Sequence, residues 1–303
     1  MESDATFRDK ITQQLQSNRP NLSTSSLKTY SSILHNLYDA LSQQKETQKN
    51  NDIIWFDENT DKILHHIKNK NQATKKSTLS ALYVLTNVPL YQKEMMKISQ
   101  SMSEQAKEQK KTRKQEENWI SIEEIKDKYE DLYDKVTKIF KKKAIADIGI
   151  IMDYLLVAFL SGHKLPPRRS MDYSLLKWKN YDKTRDNYYS RGKLYFNKYK
   201  TSDTYGLAII DVPKEIDVIL KKWLKINPSE MVLISSNNKP LSSSQIARML
   251  NKIFDKKVSV NMLRHIYLTN YYKNIPKLTN MEELANSMGH NIQTALEHYV
   301  KKD

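Results

Sequence analysis

The sequence predicts a mainly α-helical protein with a small β-sheet or hairpin, an α+β fold, and three observations lead to this prediction. Apolar residues recur three and four positions apart over most of the chain, as they do on one face of a helix. The chain has 303 residues and only 5 Gly, so tight turns are few, and its length fits about two domains. Residues 193–213 (KLYFNKYKTSDTYGLAIIDVP) differ, because β-formers stand on both sides of a turn and predict a hairpin.

The first part of the chain is predicted to be a helical domain. Residues 1–20 are polar, and we expect them to form a flexible arm. A Ser/Thr cluster that can cap a helix precedes Leu27, and apolar residues follow at helical spacing as far as Leu41. The same spacing predicts three further helices around residues 63–67, 79–85 and 91–102. Residues 21–102 are therefore predicted to form a small helical bundle.

A charged segment, residues 103–118, separates this bundle from the rest of the chain. It contains no apolar residue larger than Ala, so we expect a solvated helix or a linker and place the domain boundary inside it. Its basic run KKTRK includes Lys111 and Arg113, which are candidate phosphate contacts. A nuclear targeting signal is a second interpretation of this run, and a solvated linker with no partner is the favoured one.

Residues 119–303 are predicted to form the second domain. Ser121 and Glu124 match a capping box, and helices are expected near 122–141 and 144–160. The second of these is the most apolar run of the chain. It is short for a membrane span and is interrupted by aspartates, so we interpret it as a core helix. After the hairpin, helices are predicted around 216–223 and from 246 to the end, and 231–235 (MVLIS) is predicted to be a short buried strand or extended piece.

Composition restricts the class of function. The chain carries 50 Lys+Arg against 35 Asp+Glu, a formal net charge of +15, which favours a polyanionic partner, nucleic acid before a membrane surface. It contains no Cys, which excludes disulfides, zinc sites with thiolate ligands and cysteine nucleophiles. The charged start MESDATFRDK shows no signal peptide, so we expect a soluble intracellular protein that acts where DNA is, with no membrane partner.

Tyr299 is a candidate nucleophile near the end of the chain. A phenol with a pKa of about 10 attacks poorly at neutral pH, but a phosphodiester becomes a suitable target once its charge is neutralised. Arginine does this well, because its planar group binds two oxygens and stays protonated. The chain offers such groups in three stretches: LPPRRSMDYSLLKW (165–178), VNMLRHIYLTNYY (260–272) and MGHNIQTALEHYV (288–300).

In this order, the three stretches resemble the tyrosine recombinases, the family of phage and transposon integrases and related viral enzymes. LRHIYLT looks like the family's Leu-Arg-His box, and MGHNIQTALEHY looks like its Gly-His box with the nucleophilic tyrosine nine residues further on. RSMDYSLLKW looks like the first arginine box. Aligning Asp172 with the family's acid and Trp178 with its tryptophan selects Arg169 and not Arg168. The resemblance implies that 21–102 is a core-binding domain and 119–303 the catalytic domain.

The resemblance also implies the roles of the site residues. Tyr299 would attack the phosphate, and Arg169 and Arg264 would hold its non-bridging oxygens. His290 would donate a further hydrogen bond. A hairpin lysine would protonate the leaving 5′ oxygen. Lys200 is our choice, and Lys198 is the alternative, because a strand would put both on one face.

Asn261 departs from the family pattern, since many members have histidine three residues before the second arginine. Asparagine can donate a hydrogen bond to a phosphate oxygen but cannot carry a proton, so we expect Asn261 to position the phosphate. Arg168 and His265 are further candidate DNA contacts, and a packed structural role is the favoured alternative for His265. Asp172 is expected to hold Arg169, and Thr294 to cap a short helix that carries Tyr299.

The function implied is site-specific DNA recombination or integration through a covalent 3′-phosphotyrosyl intermediate, without metal or other cofactor. The expected partners are double-stranded DNA and three further copies of the chain, as a homotetramer on two DNA sites. The composition and the PPRR run look like integrases of large DNA viruses, virophages or related mobile elements. The alternatives are a type IB topoisomerase, a telomere resolvase, or a basic DNA-binding protein whose site is inactive.

Overall fold

The computed structural model describes residues 6–42, 52–142, 147–273 and 278–301. The chain divides into two compact units, Met1–Ala106 and Lys107–Asp303. The division falls inside the 103–118 segment where a boundary was predicted. Helices make up most of the described chain, which also contains one four-stranded sheet, so the predicted fold class is confirmed.

The first unit is a bundle of helices around one apolar core. Its helices are α1 (Phe7–Asn18), α2 (Thr24–Ser42), α3 (Trp55–Glu58), α4 (Thr60–Ile67), α5 (Gln72–Thr86) and α6 (Pro89–Lys107). The four helices predicted from apolar spacing correspond to α2, α4, α5 and α6. Leu34 of α2 and Leu82 of α5 are completely buried. Tyr91 of α6 is also buried and donates a 2.6 Å hydrogen bond to the Phe56 carbonyl, which joins α6 to α3.

Helix α1 contradicts the prediction that residues 1–20 form a flexible arm, of which 1–5 lie outside the described residues. Thr6 and Asp9 form a capping box at its start. Ile11 and Leu15, four residues apart, are completely buried in the core of this unit. Asn18 then donates two hydrogen bonds to carbonyls at the end of α5. The apolar residues of α1 are widely separated by polar ones, so their common face was missed in the sequence.

The second unit contains the remaining helices and the sheet. The helices are α7 (Arg113–Asn118), α8 (Ile122–Lys142), α9 (Ile148–Leu160), α10 (Ser170–Ser174), α11 (Ser202–Tyr205), α12 (Lys214–Ile226), α13 (Ser243–Phe254), α14 (Val260–Lys273), α15 (Leu278–Ser287) and α16 (Ile292–Thr294), followed by a π-helical turn, Ala295–Tyr299. The predicted capping box at the start of α8 is present, since Ser121 and Glu124 each accept a hydrogen bond from the other's backbone N–H.

Helix α9 is the centre of the second unit's core. Asp147 caps its first turn by accepting hydrogen bonds from Gly149 and Ile150. Ile151, Met152 and every residue from 154 to 160 are almost entirely inaccessible to solvent. This confirms the predicted core helix for 148–160, while 144–146 lie outside the described residues. In the part of the chain that the structure describes, no helix is both long and apolar enough to cross a bilayer.

The sheet has the order β1 (Leu176–Lys177), β2 (Asn187–Ser190), β3 (Lys193–Phe196), β4 (Ala208–Asp211). β1 runs parallel to β2, and the other pairs are antiparallel. The β3–β4 pair confirms the predicted hairpin, whereas β1 and β2 were not predicted. Leu194 and Phe196 point into the core and are completely buried. This pins the end of β3 against the core, so the turn after it is held in place.

Residues 231–235 are extended and buried but form only isolated bridges. Met231 pairs with Lys177 and Ile234 with Pro240. The Trp223 indole donates a 2.9 Å hydrogen bond to the Val232 carbonyl, which joins α12 to this segment. The structure therefore favours the extended piece over the regular strand.

Candidate active site

Arg169 occupies the start of α10, in the loop that follows α9. It is the N-cap residue of this helix, and its backbone is extended. Its Nη1 atom is buried and has no hydrogen-bond acceptor in the described part of the chain. This nitrogen lies 3.4 Å from the position that a Cβ atom would take at Gly289. Arg169 therefore directs an unused donor toward the Gly-His stretch.

Arg264 reaches the same place from α14. It is 1% exposed, and its Nη1 and Nη2 atoms lie 3.4 Å from the carbonyl oxygens of Pro167 and Met288. Its Nε atom is buried without a partner among the described residues. Burial lowers the pKa of Arg264. Tyr299 raises this pKa and the charge of Arg169 lowers it further, but a guanidinium remains protonated at neutral pH.

His290 is brought to the site by the end of α15. Gly289 has φ +72°, and the His290 N–H donates back to the Ala285 carbonyl, so the helix ends as predicted at a left-handed glycine. The His290 ring is 4% exposed and stacks on Tyr299 with 5.2 Å between ring centroids. Burial, with the positive charge of Arg264, lowers the pKa of His290 to about 4. The imidazole is therefore neutral at pH 7, and its Nε2 has no partner in the described structure.

Tyr299 closes the site at the end of the π-helical turn. Its ring centroid lies 4.9 Å from the Arg264 Cζ atom. The predicted cap at Thr294 is wrong, because Asn291 caps this region by accepting a hydrogen bond from the Thr294 N–H. Asparagine three residues earlier competes for the same role, and a local pattern cannot rank the two. The π turn leaves Tyr299 partly exposed, so its ring has access to solvent.

The turn after β3 is tied to the Gly-His stretch. The Thr201 hydroxyl donates a 2.9 Å hydrogen bond to the Gly289 carbonyl. Lys200, the residue before it, is exposed to solvent. Lys198 is exposed as well, with its backbone bonded to Asn187. Both lysines follow the end of β3, so the expected alternation along a strand does not apply to them.

Arg168 is not at the surface, contrary to the expectation that it contacts DNA. Its side chain is completely buried, and its Nε donates a 3.0 Å hydrogen bond to the Asp172 carboxylate. Asp172 was expected to hold Arg169, but it pairs with Arg168 one helical turn away. The spacing of four residues between Arg168 and Asp172 was visible in the sequence, but the pattern Arg-x-x-Asp favoured Arg169.

His265 also differs from the expected DNA contact, and its alternative role as a packed residue agrees with the structure. Its Nδ1 lies 2.8 Å from the Tyr299 carbonyl oxygen, and its ring is 5.1 Å from the Tyr299 ring. Burial lowers the pKa of His265 to about 4, so the ring is neutral at pH 7. Asn261, by contrast, is exposed one turn before Arg264 on α14.

Lys111 and Arg113 make contacts of their own outside this cluster. The Lys111 ammonium lies 4.6 Å from the centre of a Trp119 ring, and the Arg113 guanidinium pairs with Glu117 at 2.8 Å. A different residue of this segment, Gln109, donates a 2.6 Å hydrogen bond to the Leu296 carbonyl of the π turn. The sequence carried no signal for that contact.

The arrangement suits an anion with several oxygens. Two guanidinium groups, those of Arg169 and Arg264, each have a buried nitrogen with no acceptor in the described structure. Arg264 and the neutral His290 ring lie against Tyr299. Buried donors without acceptors are costly, so a ligand that accepts from them is strongly favoured. A tetrahedral phosphate has the charge and the oxygens for this role. Within the described ranges, no group of three or more His, Cys, Asp or Glu side chains could hold a metal ion.

Comparison with known proteins gives the fold. The sequence matches no protein-family model and no curated protein. Lambda integrase (residues 75–356) bound to DNA has a similar structure, with TM-score 0.51 and 17% identity over 97% of this chain and 94% of that chain. XerA recombinase (TM-score 0.41, 14% identity, 98% and 94% covered) and the Tn1549 transposon integrase with transposon end DNA (0.46, 14%, 97% and 95%) are more distant. The lambda integrase likeness shows a shared fold.

Proposed function

We propose that this protein is a site-specific DNA recombinase or integrase that cuts and rejoins DNA through a covalent 3′-phosphotyrosyl intermediate. One observation carries the proposal. Arg169, Arg264 and His290 are far apart in the chain, yet each has a buried nitrogen without a partner in the described structure. Arg169 reaches the Gly289 backbone, and Arg264 and His290 lie against the Tyr299 ring. The shared fold with lambda integrase and the sequence resemblance to tyrosine recombinases support it.

The chemistry follows from this geometry. The Tyr299 oxygen attacks the phosphorus of a backbone phosphodiester, the bond from phosphorus to the 5′ oxygen breaks, and the tyrosine proton passes to water. Charge develops on the non-bridging oxygens, where Arg169 and Arg264 stabilise it. The 5′ oxygen leaves with a proton from Lys200, which the Thr201–Gly289 hydrogen bond keeps close to the site. A second 5′ hydroxyl reverses the step and exchanges strands.

His290 acts as a neutral imidazole in the free protein, since burial holds its pKa near 4. Its Nδ1 lies 3.2 Å from the Asn291 carbonyl. A bound phosphate adds negative charge beside the ring, which favours the protonated form and an Nε2–H that donates to a phosphate oxygen. Asn261, exposed on α14, donates from its amide to the same phosphate but accepts no proton in the reaction.

The partners follow from the same proposal. The net charge of +15 favours double-stranded DNA, and the affinity should fall steeply with salt. Recombination joins two DNA sites, so the active assembly is a homotetramer. The proposal extends to an origin in a large DNA virus, a virophage or a related mobile element, which rests on the composition and the PPRR run alone.

A suicide substrate tests the proposal. Duplex DNA from the sequences that flank the gene is nicked a few nucleotides beyond the cleavage phosphate. After attack, the short fragment that carries the new 5′ hydroxyl diffuses away, so the protein stays attached to the 3′ phosphate. We expect wild-type protein to form an adduct that survives denaturing electrophoresis and maps to Tyr299 by mass spectrometry.

Tyr299→Phe removes only the attacking oxygen and is the matched control. It should bind the same DNA with unchanged affinity and form no adduct. Tyr271→Phe, a change in a tyrosine of α14 whose hydroxyl bonds to the Asn280 carbonyl, should form adduct at the wild-type rate. An adduct of equal yield from Tyr299→Phe would refute the assignment. Binding without any adduct from wild type would mean a DNA-binding protein with an inactive site.

A further inference from the structure

Arg168 is a fully buried cation that the proposed chemistry does not use. Its side chain is 0% exposed, and it pairs with the equally buried carboxylate of Asp172. Its Nη1 donates a hydrogen bond to the Ser287 carbonyl. Its guanidinium carbon lies 4.5 Å from the ring centres of both Phe196 and Tyr199. One side chain thus contacts three separate parts of the chain.

Each of these contacts lies next to a residue of the candidate site. Asp172 belongs to α10, the helix that Arg169 caps. Ser287 is the last residue of α15, three positions before His290. Tyr199 precedes Lys200 directly in the turn after β3. Arg168 therefore joins the elements that carry Arg169, His290 and the candidate lysine.

A second contact set runs parallel to the first. Thr201 donates to the Gly289 carbonyl, and a Cβ added at Gly289 would meet Thr201, Arg169 and Tyr199 within 3.1–3.4 Å. The lysine turn and the Gly-His stretch are thus packed closely together, with the Arg168 guanidinium beside them. A displacement of either segment would change the distance between the lysine and the phosphate.

The shape of arginine explains why this residue suits the position. A planar guanidinium can lie over aromatic rings while it donates in its own plane to a carboxylate and a carbonyl, whereas a lysine ammonium is a point charge. A buried ion pair is weak evidence for stability, because replacing both charges by apolar residues is often neutral. A buried charge that contacts three segments is better explained by a role in geometry.

We propose that the Arg168–Asp172 pair is a positioning device that sets the spacing between Arg169, His290 and the lysine turn. Arg168 contacts no DNA and takes no part in bond making. It acts by holding Ser287 and Tyr199, and through them the catalytic groups, at the distance that one phosphate requires. This inference rests on the proposed function, and it assigns Arg168 a role that its neighbour Arg169 does not have.

The test separates positioning from folding. R168M/D172L removes both buried charges and keeps apolar volume, so the protein should stay folded. We expect thermal stability to change little. The Kd for DNA, measured with Tyr299→Phe added so that no cleavage occurs, should change less than about threefold. The single-turnover rate of adduct formation should fall about a hundredfold, as expected for misplacement of about 1 Å. K135M/D131L removes an exposed pair of the same spacing on α8 and should leave thermal stability, DNA affinity and the cleavage rate unchanged.

R168K provides a second variant in case the double change prevents folding. Lysine keeps the charge beside Asp172 but loses the planar contacts, so cleavage should slow at least tenfold while affinity is retained. Cleavage within threefold of wild type by either folded variant would overturn the inference. So would equal losses of affinity and rate, which would indicate general damage to the fold.

A readout without DNA distinguishes this inference from the proposed function. NMR titration of the free protein follows the His290 ring, whose pKa of about 4 reflects its burial. If Arg168 holds the Ser287–His290 stretch in place, R168M/D172L should raise this pKa toward the ordinary value of about 6.5. An unchanged pKa in a folded variant would overturn the positioning role. Absence of adduct from wild type would instead refute the proposed function.

Discussion

Replacement of His265 by asparagine should make the second unit less sensitive to acid. Burial lowers the pKa of the His265 ring to about 4 in the folded protein, against about 6.5 when unfolded. Because the pKa is lower in the folded protein, the ring takes up its proton in the unfolded chain at a higher pH than in the folded one. The stability that the neutral ring contributes is therefore complete above a pH of about 6.5 and is lost as the pH falls toward 4. In H265N the new amide would be offered to the Tyr299 carbonyl but would not titrate.

The size of the effect follows from the two pKa values. At pH 7.5 both states are neutral, and the free energy of unfolding contains almost no proton term. At pH 5.0 the ring is mostly protonated in the unfolded chain and mostly neutral in the folded one, which lowers the free energy of unfolding by about 2 kcal/mol. His290 acts in the same direction, and its contribution is common to wild type and H265N. The raised pKa of the buried Asp172 carboxyl acts in the opposite direction and is also common to both.

Urea unfolding by tryptophan fluorescence measures this difference. Trp55 is the one tryptophan of the first unit among four in the chain, so W55F leaves a signal from the second unit alone. In this background we compare His265 and H265N at pH 7.5 and 5.0. The protein with His265 should lose about 2 kcal/mol more between the two pH values than H265N. Losses that agree within about 0.5 kcal/mol would refute the reasoning, because a neutral buried ring could not then be the cause.

Three further predictions concern the site. G289A should destabilise the protein by about 1–2 kcal/mol, because φ is positive at this position. It should also slow cleavage, because its Cβ would crowd the Thr201 hydroxyl and contact the Arg169 Nη1 atom. G206A shares the positive φ but has no described neighbour within 4 Å, so equal cleavage by both variants would contradict this. Arg264→Lys should slow adduct formation by about 10²–10³ with a much smaller loss of affinity, and a rate within tenfold would exclude the clamp. Lys200→Ala should slow cleavage of ordinary DNA but not of DNA with sulfur in place of the leaving 5′ oxygen, because a thiolate leaves without an acid. The same pattern in Lys198→Ala would make Lys198 the residue that donates the proton.

Apolar spacing was enough to predict most of the helices, and β-formers on both sides of a turn were enough to predict the hairpin. The residues that line one face of α2 stand three and four positions apart in the chain, and those of α9 form one apolar run, so the local sequence reports both helices directly. The same holds for the Ser121–Glu124 capping box and for Gly289, whose conformation depends on adjacent residues. α1 was missed because Ile11 and Leu15 stand alone in a polar stretch, and their burial depends on distant helices.

Sequence motifs were enough to propose the charged groups around the nucleophile. They were not enough to predict which residue each charged group would pair with. The sequence determined that two adjacent arginines precede α10, and four residues separate Arg168 from Asp172. Only the tertiary structure decided that Arg168 is the buried partner of that carboxylate, because its burial is created by Phe196, Tyr199 and Ser287. Local conformation depends on the energies of neighbouring residues, whereas the environment of a charge is set by whichever distant segments pack around it.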